Sequence, residues 1–318
     1  MDARHIRPGP TSAPATLADA WALWLAYRQA GTRPLRASTL ADYESIYRAH
    51  IGPRLGETAL VTIDGAAIAR FTVAMHAAGV RPKRAGNVLV PLRACLRWHH
   101  RLGSLERDPS QWFDASAPAA DERRILTIAQ VEELIAATPA AYRAFVMTAA
   151  YTGMRMGELR ALTWDDVDLD ARTASITKTY YREQLQRSTK TGHDRIAPLP
   201  AHVAQALHDW RASRPSSPSG LLFPRPSGRP IDPDDFRRRV FRPAAAAAGL
   251  PSGLRFHDLR HTSASLYLQH GATVREVMEI HGWRQMQTAL RYLHTIESLN
   301  AAADRLSVAR AGYGGTPS

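Results

Sequence analysis

The sequence predicts a mainly α-helical protein of two domains, the second of which also carries a small antiparallel β-sheet. Three observations lead there. The 318 residues are about two domains' worth at ~150 residues each. Apolar residues recur chiefly at the three- and four-residue spacing of helices. Only between positions 173 and 199 does the period shorten to that of strands.

Residues 1–15 carry Pro8, Gly9, Pro10, Ser12 and Pro14 without periodicity and read as a disordered tail. Thr16 is placed to cap a first helix with Leu17, Trp21, Trp24 and Leu25 along one side. Ser38 could cap a second, with Leu40, Tyr43, Tyr47 and Ile51 on one face and Gly52-Pro53 as its end. Asp64 suits the start of a third, containing Ile68, Phe71 and Met75 and closed by Gly79. A fourth spans about 85–100, with Val88, Leu92, Cys95 and Leu96 inward and a kink or late start expected at Pro91.

The Pro-, Ala- and Ser-rich stretch 108–120 marks a boundary. It sets a helical domain at 16–113, a linker at 114–123 and a second domain at 124–310, with a disordered tail at 311–318. Thr127 with Gln130 forms a capping-box pattern ahead of Val131, Leu134 and Ile135. The next helix, 142–151, ends at Thr152-Gly153. Residues 173–186 and 195–199 read as short strands with a turn at Thr191-Gly192. Helical spacing returns from Ala201, broken by Pro and Gly at 214–230.

Composition narrows the functional classes. No apolar run approaches the ~18 residues of a membrane span, and the amino-terminal residues lack a signal peptide's apolar core. A cytoplasmic, nucleoid-associated protein is expected. The single cysteine, Cys95, excludes an internal disulfide and a cysteine-based zinc site. A net charge of +12 suits a polyanionic partner, although an Arg- and Ala-rich composition could also arise from nucleotide bias in the genome.

Four clusters in the second half could carry chemistry. In Thr152-Gly153-Met154-Arg155-Met156-Gly157-Glu158, Arg155 and Glu158 lie three apart on one helix face, a spacing shared with ordinary surface ion pairs. Ser188-Thr189-Lys190-Thr191-Gly192 sits at a hairpin tip. Lysine occurs only at 83, 178 and 190, and unlike arginine it has a proton to give up. In Phe256-His257-Asp258-Leu259-Arg260-His261-Thr262, His257 and Arg260 share a helix face while Leu259 turns inward, and His261 competes for the role of His257. Arginine's fork matches phosphate oxygens, and histidine moves protons near neutral pH. The fourth cluster is His281-Gly282-Trp283 with Tyr292 ten residues after the glycine. A tyrosine becomes a nucleophile only where its proton can be removed.

Taken in order, TGMR, TKTG, HDLRHT and GW…RY resemble the tyrosine recombinases, the phage-type integrases. Ala49-His50-Ile51-Gly52-Pro53-Arg54-Leu55-Gly56 resembles part of that family's core DNA-binding domain, and Arg124-Ile125-Leu126-Thr127 the entry to its catalytic domain. The resemblance implies the tyrosine recombinase and type IB topoisomerase fold, and cleavage and rejoining of DNA through a 3′-phosphotyrosine without metal or ATP. By it, Arg155 and Arg260 would hold the scissile phosphate and Tyr292 would attack it. Lys190 would protonate the leaving 5′ oxygen, with Lys178 as its rival, His257 would transfer protons, and Glu158 would support the site. Trp283 stands nine residues before Tyr292, where the family usually has histidine. It can donate a hydrogen bond but cannot shuttle a proton.

Arg97, Arg101, Arg123 and Arg124 are candidates for DNA backbone contacts from the two domains. Double-stranded DNA carrying a specific site is the implied partner, with a homotetramer in synapsis, a monomer or weak oligomer when free, and room for a DNA-bending or directionality accessory factor. Residues 296–308 would form a small amphipathic helix, docked in a neighbour by family analogy or packed on their own domain. With about fifteen residues before the first helix, no arm-binding domain is expected. The expected role is integrase of a phage or mobile element. A resolvase of chromosome dimers, a type IB topoisomerase and a DNA-binding protein without activity are the alternatives.

Overall fold

The computed structural model describes residues 14–32, 34–113, 124–181, 183–187, 194–213 and 219–290. The contacts of the chain divide it into two units, Met1–Asp121 and Glu122–Ser318.

The described residues of the first unit are helical. Helix α1 (Leu17–Ala30) starts at Thr16 in a full capping box, with Thr16 Oγ1 accepting from the Asp19 N–H and Asp19 accepting from the Thr16 N–H. Helix α2 (Ala37–Ile46) begins two residues earlier than expected. Ser38 lies inside it, and Arg36 occupies the cap position without a side-chain bond. Gly52-Pro53 does not end this segment as expected. A π-helical turn at Tyr47–Ile51 carries the chain on into α3 (Gly52–Leu55). The cause is Pro53, which has no N–H and whose ring would meet the carbonyl one turn back. Widening that turn, with Gly52 N–H donating to Tyr47 O, makes room for the ring.

Asp64 caps α4 (Gly65–Ala77) by accepting from the Ala67 N–H. Helix α5 (Pro82–Arg101) starts earlier than predicted, because Pro82 fits the first turn, and it runs on through Pro91. These helices enclose Leu17, Ile51, Leu60, Met75, Leu92 and Leu96. Trp21 stacks on Tyr47 and Trp24 on Tyr43, joining α1 to the α2–α3 segment.

In the second unit, Thr127 and Gln130 form the predicted capping box of α6 (Ile128–Ala137). Helix α7 (Ala140–Thr152) stops at Gly153, whose left-handed backbone (φ 63°) ends the helix, and α8 (Met156–Ala161) begins at once. The strand region is more divided than expected. Strands β1 (Val167–Asp168), β2 (Thr173–Ile176) and β5 (Arg195–Pro198) form an antiparallel sheet in the order β1-β2-β5. Residues 179–186 instead fold back on themselves as the hairpin of β3 (Thr179–Tyr181) and β4 (Gln184–Gln186). The polar run Thr177-Lys178 separates the two sheets, and Ala174 and Ile176 of β2 face the core with Ala197 of β5.

Helices α9 (Ala201–Ala212), α10 (Pro233–Phe236), α11 (Arg242–Ala247), α12 (Asp258–Gln269), α13 (Val274–His281) and α14 (Met286–Leu290) complete the unit. A second π turn, Arg237–Phe241, again ends one residue before a residue–proline pair, here Arg242-Pro243. Phe145 on α7 lies at the centre of the core. It stacks on Phe256, just before α12, at 5.5 Å, and meets Phe223 and Phe236 edge-on at 5.3 and 5.2 Å. That cluster holds the middle of α7 against Phe256, just ahead of α12, and so sets the two elements that carry Arg155 and Arg260 against each other. No helix among the described residues is long and apolar enough to cross a membrane.

Replacing Phe145 with Ala removes the ring on which both helices rest and should cost about 3–5 kcal/mol. Guanidinium denaturation checks this, and a loss below about 1 kcal/mol would show that the cluster does not anchor α7.

Candidate active site

The turn between α7 and α8 is built to present Arg155. Gly153 supplies the left-handed residue, and a Cβ there would collide with Nε2 of His281. Arg155 is therefore extended and takes the cap position of α8, with Glu158 three residues on. The Arg155 N–H donates to Glu158 Oε2 at 2.8 Å, and Arg155 Nη1 to Oε1 at 2.7 Å. The expected pair is present, but it is no surface ion pair, since the Glu158 side chain is 1% exposed.

A second guanidinium meets the same carboxylate. Arg195 donates through Nη1 to Glu158 Oε1 at 3.0 Å and through Nη2 to Oε2 at 2.7 Å, a bidentate bridge between two buried side chains. Burial alone would raise the pKa of Glu158. The hydrogen bonds and charge of Arg195, then the charge of Arg155, bring it down to about 2 instead. The Nε of Arg195 donates to Ile280 O at 3.1 Å, near the end of α13.

Arg260 lies on α12 and is 3% exposed. Its Nη1 donates to Gly153 O at 2.6 Å, and its Nη2 to His281 O. Arg195 and Arg260 thus hold successive carbonyls at the C-terminal end of α13, where the helix dipole favours cations. Gly282 then turns left-handed (φ 63°) and Trp283 follows, its ring 5.5 Å from the Arg260 guanidinium carbon. His281 is fully buried. Its Nδ1 lies 3.0 Å from Val277 O, its Nε2 has no hydrogen-bond partner among the described residues, and its ring packs 4.9 Å from that of Trp283. Burial and the charge of Arg260 hold it well below the ordinary histidine pKa, so it stays neutral.

His257 immediately precedes α12 and remains exposed, with its ring 5.1 Å from that of His261. Partial desolvation, then the positive charges of Arg260 and Arg155, lower its pKa, leaving a neutral imidazole near pH 7. Asp258 beside it is buried and bonded to Arg255. The structure therefore gathers Arg155, Glu158, His257, Arg260 and Trp283 around one surface.

Lys190, Tyr292 and Arg123 lie outside the described residues. The last described residue, Leu290, lies in helix α14. Lys178, the rival lysine, is taken up in an ion pair of 2.9 Å with Asp166 and a bond to Thr163 Oγ1. Arg124 donates to Gly253 O, while Arg97 and Arg101 are exposed on α5.

Arg195 and His281 are absent from the sequence-level assignment. The signal for Arg195 emerges once the strand register is known. In β5 the register pairs Arg195 with Ile176 and Ala197 with Ala174, so the charged residue takes the inward face while Ile196 faces solvent at 65% exposure. A charge on a core-facing strand position must be paired.

The model of the phage integrase family matches residues 122–298. The chain belongs to the phage integrase family. A protein named as the prophage phiRv2 integrase of Mycobacterium tuberculosis is 32% identical over 271 residues, covering 82% of this chain and 71% of that protein. The tyrosine recombinase XerC of Xanthomonas campestris is 26% identical over 302 residues, covering 92% and 90%. Among solved structures, the Tn1549 transposon integrase in complex with a circular intermediate DNA superposes with a TM-score of 0.77 at 18% identity, covering 92% of this chain and 99% of that one. A lambda integrase dimer bound to a core site gives 0.68 at 20% identity, covering 87% and 77%. This phage integrase family member is thus a site-specific tyrosine recombinase, a DNA strand transferase.

Glu158 gives the integrase site a defined pH response. Its folded pKa lies below the unfolded value of ~4.3, so its contribution is complete above that value and is lost as pH falls toward about 2. Glu158→Gln should cost about 3–5 kcal/mol near pH 7, because two guanidiniums lose their counter-charge. The gap from wild type should narrow below about pH 4. Denaturation of both proteins from pH 7 to pH 3 measures it, and a constant gap would mean that the carboxylate charge is not what holds the cluster.

Proposed function

We propose that this chain is the integrase of a phage or other mobile element and that the arginine cluster is its scissile-phosphate site. The observation that carries the reading is the link between Arg155 and Arg260 through Gly153 O, with His257 in electrostatic range of both. Three guanidiniums (Arg155, Arg195, Arg260) against the single Glu158 carboxylate leave a surplus of positive charge. A phosphodiester gains negative charge as an attacking oxygen closes on it, and fixed donors stabilise that state more than the ground state.

In this reading Arg155 and Arg260 bind the non-bridging oxygens, and the Trp283 N–H donates to one of them. The Tyr292 oxygen attacks phosphorus and passes its proton to neutral His257. The bond from phosphorus to the 5′ oxygen breaks, and Lys190 returns a proton to that oxygen, leaving a 3′-phosphotyrosine and a 5′-hydroxyl. The engagement of Lys178 with Asp166 supports Lys190 in this role. A second 5′-hydroxyl then reverses the step on a new strand. Because the phosphotyrosine keeps the energy of the diester, no ATP is consumed.

Arg97, Arg101, Arg123 and Arg124 would add backbone contacts with salt-dependent affinity. A synaptic homotetramer is supported by the likeness of this fold to a lambda integrase tetramer bound to a Holliday junction. The near-complete mutual coverage with XerC supports one second reading, resolution of replicon dimers.

The deciding assay uses nicked duplexes tiled across the DNA on both sides of the gene. Wild type should form a covalent adduct stable to SDS on a duplex from that region, and Tyr292→Phe should form none. Adducts confined to duplexes from a chromosomal dimer-resolution site would favour the second reading, and none on either would contradict the proposal.

A further inference from the structure

We propose that Arg195 is a positioning residue of the strand-transfer reaction, one that touches no DNA and acts by fixing Arg155 and Trp283 relative to each other. This inference rests on the reading of Arg155 and Arg260 as phosphate ligands. Arg195 holds three segments at once. Its two terminal nitrogens grip both oxygens of Glu158, whose remaining bonds go to the backbone and guanidinium of Arg155. Its Nε holds Ile280 O, three residues before Trp283. Its own backbone lies in β5, only five residues after Lys190.

The side chain is 7% exposed, which keeps it from reaching a duplex. The stem fills the space over Gly282, where an added Cβ would lie 3.0 Å from Arg195 Cδ. The left-handed turn that delivers Trp283 is thus shaped against this arginine. A lysine cannot replace it fully. It would supply one charge, but not two bonds to the Glu158 carboxylate together with a third, from Nε, to a carbonyl in another direction.

The geometry separates binding from rate. Losing Arg195 leaves Arg155 its partner Glu158, so the phosphate can still be bound. What is lost is the registration of Arg155 with Trp283, and misplacement of about 1 Å costs on the order of 10²-fold in rate.

The test uses the full-length protein and the nicked duplex that wild type cleaves, with duplex affinity and single-turnover adduct formation measured separately. Arg195→Ala should bind within about threefold of wild type and form adduct about 10²-fold more slowly, and Arg195→Lys should recover part of that loss. In a Glu158→Gln background, Arg195→Ala should cost much less than it does alone, since both act through one carboxylate. If Arg195→Ala does not fold, as shown by its thermal melt, Arg195→Lys and Arg195→Gln carry the comparison.

Wild-type rates in the folded variants would overturn the inference while leaving the phosphate site standing. So would a loss seen entirely in affinity, or full additivity with Glu158→Gln. Wild type that cleaves no duplex would instead remove the phosphate-site reading, and this inference with it.

Discussion

Taking the carboxylate of Glu158 out of water costs several kcal/mol unless its charge is met at short range by well-placed donors. Here four N–H groups meet it, two from Arg155 and two from Arg195. The bonds are geometrically demanding, so they fix the turn after α7 and the return strand β5 with respect to each other. The same bonds keep the carboxylate ionised, so both guanidiniums stay where they are needed across the physiological pH range. Removing Glu158 leaves two guanidiniums without their counter-charge, whereas removing either arginine leaves the carboxylate with half of its donors.

The end of α13 extends this constraint. Helix carbonyls at a C-terminus have no partner within the helix and carry partial negative charge. Arg195 takes Ile280 O and Arg260 takes His281 O, so two arginines from different elements are set by one helix end. Two left-handed glycines, Gly153 and Gly282, let the chain approach closely enough for this. Buried, neutral His281 packs against Gly153, and the stem of Arg195 packs over Gly282. The aromatic cluster around Phe145 supports the arrangement from below by holding α7 against α12.

Three helix beginnings were legible in the sequence from the side chain that supplies the cap, while the side-chain caps of α10 at Asp232 and α13 at Thr273 were not predicted. Thr16, Asp64 and Thr127 are where local chemistry alone decides. The π turns before Pro53 and Pro243 were not legible, because they depend on how a helix relieves a proline clash, and the sequence shows only that there is a proline. Arg155, Glu158, His257 and Arg260 were singled out from order and spacing, and the structure brings them together within the second unit. Arg195 was not legible, because an arginine in a short strand of an arginine-rich chain reads as a surface charge until the strand is placed. The inverted pattern of β5, charge inward and isoleucine outward, becomes informative only once the register with β2 is known.

The measurement that bears most directly on this account is a crystal structure of the Tyr292→Phe protein on the nicked duplex that wild type cleaves. The account predicts one backbone phosphate with its non-bridging oxygens about 2.7–3.1 Å from the guanidiniums of Arg155 and Arg260, and the Glu158–Arg195 bridge intact behind them. A phosphate bound by Arg195 itself, or one seated away from Arg155 and Arg260, would contradict it.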